Sequence, residues 1–238
     1  MRFAIFGDIH GNIDALTAVY DSVMKQKVDR VYHLGDLGGY APFVNEVAEF
    51  PATHGIEGVQ GNYDENVALN SEHCGCKYED PVQSGLADRS FVWTKQHADN
   101  RAREIMASLP KTLTFTSHGR VVALFHASPR KHNLYWYEDR PDKFFREMAE
   151  KIRADVLIFG HTHKPFRKDL DGSIFINAGS VGKPKDGDPR ACFALIEITE
   201  NRVLSEFPRV PYNINGTATA IIEKGLPPDF AGQLRQGK

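Results

Sequence analysis

Residues 2–12 read RFAIFGDIHGN. A short apolar run of the kind that fills a buried strand stops at Gly7, and a carboxylate and an imidazole follow one residue apart, Asp8 and His10. Neither group suits an apolar core. Both suit the mouth of a buried strand, because strand ends in an open α/β sheet converge on one ligand-binding crevice.

The same arrangement recurs along the chain. RVYHL (30–34) runs into Gly35-Asp36, and IEGVQ (56–60) into Gly61-Asn62. RVVALF (120–125) exits at His126, and DVLIF (155–159) at Gly160, followed by His161 and His163. Five strand-like runs thus deliver Asp8, His10, Asp36, Asn62, His126, His161 and His163 to one edge. That is more ligand capacity than one ion uses. Two ions sharing Asp36 as a bridge would use it all, and mixed imidazole and oxygen donors suit Mn²⁺, Fe, Zn²⁺ or Co²⁺ better than Ca²⁺. Such a pair acidifies a shared water and clamps phosphoryl oxygens during in-line displacement.

Between the runs the period changes. Leu16, Val19, Tyr20 and Val23 recur on one helical face, with Asp14 placed to cap it. Pro42 suits the first turn of a second helix. The opening order is therefore βαβαβ. Residues 71–88 read as a polar surface excursion, 89–109 as a helix ended by Pro110, and 112–125 as a hairpin around Ser117-His118-Gly119. A loop covers 127–141 and a helix 141–152. Four strands follow: PFRKD, SIFIN, CFALIEI and RVLSEF. Residues 1–210 read as the core of a single domain spanning 1–238, with 211–238 as a peripheral tail.

Composition bounds the function classes. The chain has 238 residues, 41% hydrophobic and 25% charged, with a formal net charge of −2. That is globular composition and offers no basic track for long duplex nucleic acid. No apolar run reaches the roughly 18 residues that span a bilayer. The opening MRFAIFGD ends too soon in Gly-Asp for a signal peptide. Three cysteines, Cys74, Cys76 and Cys192, form no disulfide framework, and the expected setting is the cytoplasm.

GDIHGN, GDLGGY, GNYDE, FHAS and GHTHKP, in that order and spacing, resemble the calcineurin-like metallophosphoesterase superfamily. NAGSVGKPKDGDPRA (177–191) resembles a loop of its small bacterial phosphodiesterase branch. The resemblance spans residues 3 to about 197. It implies a four-layer α/β/β/α sandwich of two mixed sheets flanked by helices. It also implies two divalent ions (Mn, Fe, Zn, Co or Ni, with Mn favoured for activity). One ion would be held by Asp8, His10, Asp36 and His163, the other by Asp36, Asn62, His126 and His161. The implied activity is phosphoester hydrolysis by in-line attack of a metal-bridging hydroxide. Diadenosine tetraphosphate hydrolysis, protein dephosphorylation and a non-catalytic protein-binding scaffold are the alternatives within the superfamily.

One departure bears on substrate. The third motif of the family commonly reads Gly-Asn-His-Asp/Glu, its histidine protonating the leaving group, and here Tyr63 takes that place. A phenol is a poor proton donor at neutral pH, which favours leaving groups that need no proton: phosphodiesters and nucleotide phosphoanhydrides rather than alkyl monoesters. Arg130, Lys131 and His132 could contact phosphate, and Tyr135, Trp136 and Tyr137 could stack on a base or simply pin their loop. Ser180 and Gly182 could present backbone N–H groups to the site or form a turn.

Other polar residues have plainer readings. His33 reads as a core histidine and Cys192 as core. His118 reads as exposed in a turn. His73, Cys74 and Cys76 read as part of a solvated insert rather than a third metal site. His54 and His97 carry no signal.

Overall fold

The computed structural model describes residues 1–76, 80–131 and 133–238. His132 lies outside the described residues. The chain opens with β1 (Arg2–Phe6), α1 (Ile13–Met24), β2 (Arg30–His33), α2 (Val44–Thr53) and β3 (Glu57–Gly58), the βαβαβ order read from the sequence. The cap of α1 is Asn12, whose side chain accepts from the Ala15 N–H at 3.1 Å. Asp14 lies inside the first turn instead, and its carboxylate accepts from the Thr217 hydroxyl at 2.9 Å.

Next come α3 (Asn62–Ala68), α4 (Pro81–His97) and α5 (Asn100–Ser108). The expected single helix over 89–109 is two helices, and the first begins within the expected surface excursion. Asp80 caps α4 by accepting from Val82 N–H, and Asp99 caps α5 by accepting from Ala102 N–H at 2.8 Å. A second good cap so close to the first helix's end lets the chain stop and restart without Gly or Pro.

The second half holds β4 (Thr112–Ser117), β5 (Arg120–Phe125), α6 (Asp142–Ile152), β6 (Val156–Phe159), β7 (Phe166–Leu170) and β8 (Ser173–Asn177). It then continues through β9 (Ala191–Cys192), β10 (Ala194–Ile198), β11 (Val203–Glu206), β12 (Arg209–Val210), α7 (Ile214–Glu223) and α8 (Pro228–Gln236). The strand expected over 192–198 divides at Phe193. Cys192 pairs with Arg209 in a two-stranded ribbon, whereas Ala194 pairs with Ile5 of β1.

Two five-stranded mixed sheets result, ordered β11-β10-β1-β2-β3 and β4-β5-β6-β8-β7. Strand alternation sorts their side chains into layers. Phe3 and Ile5 of the first sheet meet Val122, Leu124, Ile158 and Ile176 of the second between the sheets. Ala4 and Phe6 face the other way, onto Leu16, Val19 and Val47 of α1 and α2. Ala123, Phe125, Phe159 and Phe175 face outward onto Phe145 of α6. The fold is thus helix, sheet, sheet, helix, as expected. Each large apolar side chain buried this way contributes roughly 1.5–3 kcal/mol.

The tail over 211–238 is not peripheral in its packing. Ala218, Ile221, Phe230 and Leu234 of α7 and α8 are buried in the same cluster as Tyr40 and Leu16, and the Tyr40 and Phe230 rings meet edge to face at 5.1 Å. Alternating small and large apolar residues in short helices carry little signal against a polar background, which hides this packing from a reading by period. Among the described residues no helix is long and apolar enough to cross a membrane.

Candidate metal centre

β1, β2, β5 and β6 end side by side, and each releases its polar residues over the same edge. Five of the seven expected ligands sit in the left-handed backbone region: Asp8 (φ 50°), His10 (51°), Asp36 (53°), His161 (69°) and His163 (60°). That region costs on the order of 1–2 kcal/mol per non-glycine residue. Strain gathered at one edge is the mark of a functional site rather than of a packing solution. The abrupt turn it makes at each strand end aims consecutive polar side chains into one space.

Close approach is also arranged through glycine. A Cβ on Gly160 would lie 2.4 Å from Asp8 Oδ2, and one on Gly61 would lie 2.2 Å from Asp36 Oδ1. Both carboxylates therefore rest directly on neighbouring backbone. The His161 N–H donates to Asp8 Oδ2 at 2.9 Å, and the Tyr63 N–H donates to Asp36 Oδ1 at 2.8 Å.

Two groups of three buried residues could each hold a metal ion: Asp8, His10 and His163, and Asp36, His126 and His161. Among the described residues no other cluster does so. With Oδ1 of Asp36 tied to Tyr63, its Oδ2 lies 3.7 Å from His10 Nε2 in one group and 3.5 Å from His126 Nε2 in the other. Asn62 Oδ1 lies 3.0 Å from His126 Nε2. All seven expected ligands are brought together.

The imidazoles test whether a cation fits. Nδ1 of His10 faces Gly38 O at 2.9 Å, Nδ1 of His163 faces Lys183 O at 2.5 Å, and Nδ1 of His126 faces Leu34 O at 2.8 Å. A carbonyl can only accept, so each Nδ1 carries the proton and each Nε2 of a neutral ring presents a bare lone pair. Yet His10 Nε2 and His163 Nε2 stand 3.1 Å apart, and His126 Nε2 stands 3.2 Å from His161 Nδ1. Burial, with the neighbouring His163 adding to it, pushes His10 well below its ordinary range. Burial and Lys185 do the same for His163. Protonation therefore does not relieve that pair near neutral pH, and a divalent cation between the nitrogens does. His126 behaves oppositely: burial lowers it, but Asp36 and Asp8 outweigh burial and hold it above its ordinary value. Burial, together with Asp64 and Asp8, pushes the Asp36 carboxyl well up despite His126. The donor set fits two divalent ions.

Supporting groups surround the ligands. Asp64, inside GNYDE, accepts from the N–H groups of Asp36, Leu37 and Gly61, each at 2.8 Å, and so staples the Asp36 loop to the start of α3. The Gly182 N–H and the Ser180 hydroxyl both donate to Asp8 O, at 3.0 and 2.8 Å. Tyr63 is fully buried, its ring edge-on to His10 at 5.4 Å, and its hydroxyl donates to Ser90 Oγ at 3.4 Å.

The other candidate residues divide between surface, core and cavity. Arg130 and Lys131 are exposed, and neither lines the cavity at the ligands. Trp136 is buried against Phe125 and Phe159 and anchors its loop, whereas Tyr135 lies over His161 at 4.2 Å. Cys76 belongs to no solvated insert. It lines the ligand cavity with Lys185, Tyr40 and Tyr135, and the Asn62 amide donates to its Sγ at 3.2 Å. Cys74 is buried, and its carbonyl accepts from the same amide at 2.9 Å. His73 remains exposed beside Asp88. Lys185 is half-buried, with burial lowering its ammonium and Cys76, Asp8 and Asp36 raising it. Its signal in the sequence was membership of the 177–191 loop. His33 is buried with Nδ1 accepting from Gly35 N–H, Cys192 is core, and His118 is exposed at its turn.

A model of the calcineurin-like phosphoesterase superfamily domain matches residues 1–201. The chain belongs to that superfamily. It is 26% identical over 220 residues to the phosphodiesterase YfcE of Escherichia coli K12, covering 86% of this chain and 90% of that one. An uncharacterised protein of Methanocaldococcus jannaschii is 27% identical over 252 residues, covering 99% of this chain and 98% of its own. The crystal structure of a metallophosphoesterase from Sphaerobacter thermophilus aligns with a TM-score of 0.78 at 29% identity, covering 100% of this chain and 99% of that one. Tyr63 stands in this calcineurin-like chain where the motif resemblance leads one to expect a histidine.

Proposed function

We propose that the protein is a dinuclear-metal-dependent hydrolase of phosphodiester or nucleotide phosphoanhydride bonds. The observation that carries this reading is the meeting of two buried triads, Asp8–His10–His163 and Asp36–His126–His161, at the Asp36 carboxylate, with the bare Nε2 atoms of His10 and His163 held 3.1 Å apart. Asp8, His10, Asp36 and His163 would hold one ion, and Asp36, Asn62, His126 and His161 the other, with Mn²⁺ favoured for activity. Bound divalent ions supply water activation near neutral pH and neutralise charge on a phosphoryl group. The chain's own work is positioning: Asp64 and the Tyr63 N–H fix Asp36, while the His161 N–H and the 180–182 loop fix Asp8.

Tyr63 supports the choice of bond. Its hydroxyl is turned onto Ser90, and a phenol is a weak acid at neutral pH. A placed general acid is worth about 10²–10⁴ in rate. Its loss weighs least on leaving groups that depart as weak bases, such as nucleotides, pyrophosphate-type anions and aryl oxides. The similarity to a phosphodiesterase over most of the chain points the same way. The test is hydrolysis of bis(p-nitrophenyl) phosphate with Mn²⁺, with and without chelator, beside simple alkyl phosphomonoesters. Chelator-sensitive turnover that favours the diester supports the reading. Faster hydrolysis of alkyl monoesters overturns the bond assignment, and no turnover with any divalent ion supports a binding scaffold instead.

A further inference from the structure

The ligand cavity encloses only about 10 Å³, far below the roughly 300–1,000 Å³ of a small-molecule site. The body of any substrate must lie outside it. Next to it opens a cleft of about 590 Å³, lined by Tyr137, Glu138, Asp139, Thr162, Lys164, Pro165 and Phe166. That volume is typical of a small-molecule site. Thr162 and Lys164 alternate with the ligands His161 and His163 along the chain, and Tyr135 lies over His161 and stacks with Tyr137 at 6.0 Å.

The lining has a definite chemistry. Among the described residues Tyr137 is the one phenyl, phenol or indole ring left exposed, at 40%. The Lys164 ammonium sits 5.9 Å from the centre of that ring. An aromatic face next to a cation suits a base and the phosphate attached to it. Glu138 and Asp139 disfavour a bare polyanion and can accept from the hydroxyls of a ribose.

We infer that this cleft is a nucleoside subsite: it receives the nucleoside of a substrate whose phosphoryl group lies at the metal centre, with Tyr137 stacking on the base and Lys164 contacting phosphate. The assignment rests on the phosphoesterase reading above for its substrate, but its binding arm is independent of turnover.

The experiment has two arms. In the first, calorimetric titration compares adenosine 5′-monophosphate, ribose 5-phosphate and inorganic phosphate with wild type, Tyr137→Ala and Lys164→Ala. The nucleotide should bind wild type at least about tenfold more tightly than ribose 5-phosphate, within the range a base–aromatic stack supplies. Tyr137→Ala should erase that preference, and Lys164→Ala should weaken both phosphate esters. In the second arm, the p-nitrophenyl ester of thymidine 5′-phosphate is compared with methyl p-nitrophenyl phosphate, which has the same leaving group. Tyr137→Ala should raise KM for the thymidine ester about tenfold and leave the methyl ester within about twofold. Equal binding of nucleotide and ribose phosphate, or equal effects on both esters, overturns the subsite. If neither ester is hydrolysed, the functional proposal fails, and the titration still decides the cleft.

Discussion

The Nε2 atoms of His10 and His163 stand 3.1 Å apart, while both rings turn their protons away onto the carbonyls of Gly38 and Lys183. Two lone pairs fixed face to face repel, and the backbone bonds prevent either ring from turning to relieve it. The fold holds this arrangement ready for a cation, at a cost to the metal-free protein.

That cost is measurable. Adding Mn²⁺ to the metal-free protein should raise its unfolding free energy, by about 2.7 kcal/mol at a free concentration 100 times Kd. His163→Leu removes one member of the pair. Its urea midpoint in chelator should fall by less than an ordinary buried-histidine loss, because the repulsion goes too, and its gain with Mn²⁺ should shrink. An unchanged metal-induced shift in the variant would place the ion elsewhere.

Gly160 is a second sensitive point. A methyl group there would meet Asp8 Oδ2 at 2.4 Å. Gly160→Ala should therefore displace the carboxylate, destabilising the fold by about 1–3 kcal/mol as overpacking does. It should also weaken metal affinity roughly 10–100-fold, the scale of disturbing a ligand's supports. Metal titration followed by calorimetry checks it.

Tyr63→His tests the leaving-group account. The imidazole restores a proton donor with an ordinary pKa near 6.5 beside His10. Turnover of alkyl phosphomonoesters should rise at least about tenfold, toward the 10²–10⁴ of a placed acid, with little gain on p-nitrophenyl diesters. Equal gains on both substrates would show that proton donation is not what limits the wild type.

Stability should depend on pH through His33. Burial pushes this ring down from its ordinary 6.5 to about 4. Below pH 6.5 the unfolded chain takes up a proton that the native chain refuses. The contribution is therefore fully present above about pH 6.5 and is lost as pH falls toward 4, about 2 kcal/mol of it by pH 5. Urea unfolding at pH 7 and pH 5 should show this loss in wild type. In His33→Gln, whose side-chain oxygen can still accept from Gly35 N–H, the loss should be smaller by that amount.

The ligands were legible because each follows a short apolar run with no helical period, and the topology obliges such runs to end together. The layers were legible for the same reason: Phe3 and Ile5 against Ala4 and Phe6 is a pattern of period two. The residues around the ligands were not. Cys76 and Lys185 reach the cavity from irregular segments, where no period says which way a side chain points. Asp64 gave no sign that its carboxylate, besides capping its own helix at the Gly61 N–H, would take the Asp36 and Leu37 N–H groups of a distant loop. Asn12 and Asp14 are equally good caps by composition, and the Thr217 hydroxyl, more than 200 positions away, reaches both; only the bond from the Ala15 N–H marks Asn12 as the cap. Arg130 follows His126 closely in sequence, yet its side chain is exposed and does not line the ligand cavity.

Elemental analysis of the metal-replete protein, wild type beside Asp36→Asn with diester turnover measured on the same samples, bears on the shared carboxylate itself. Two ions per chain in the wild type are expected, one for each triad. The variant should hold at most one ion and lose at least about 100-fold in turnover, the scale of removing a charge-stabilising group from a transition state. At most one ion in the wild type, with Asp36→Asn turning over normally, would contradict the shared site.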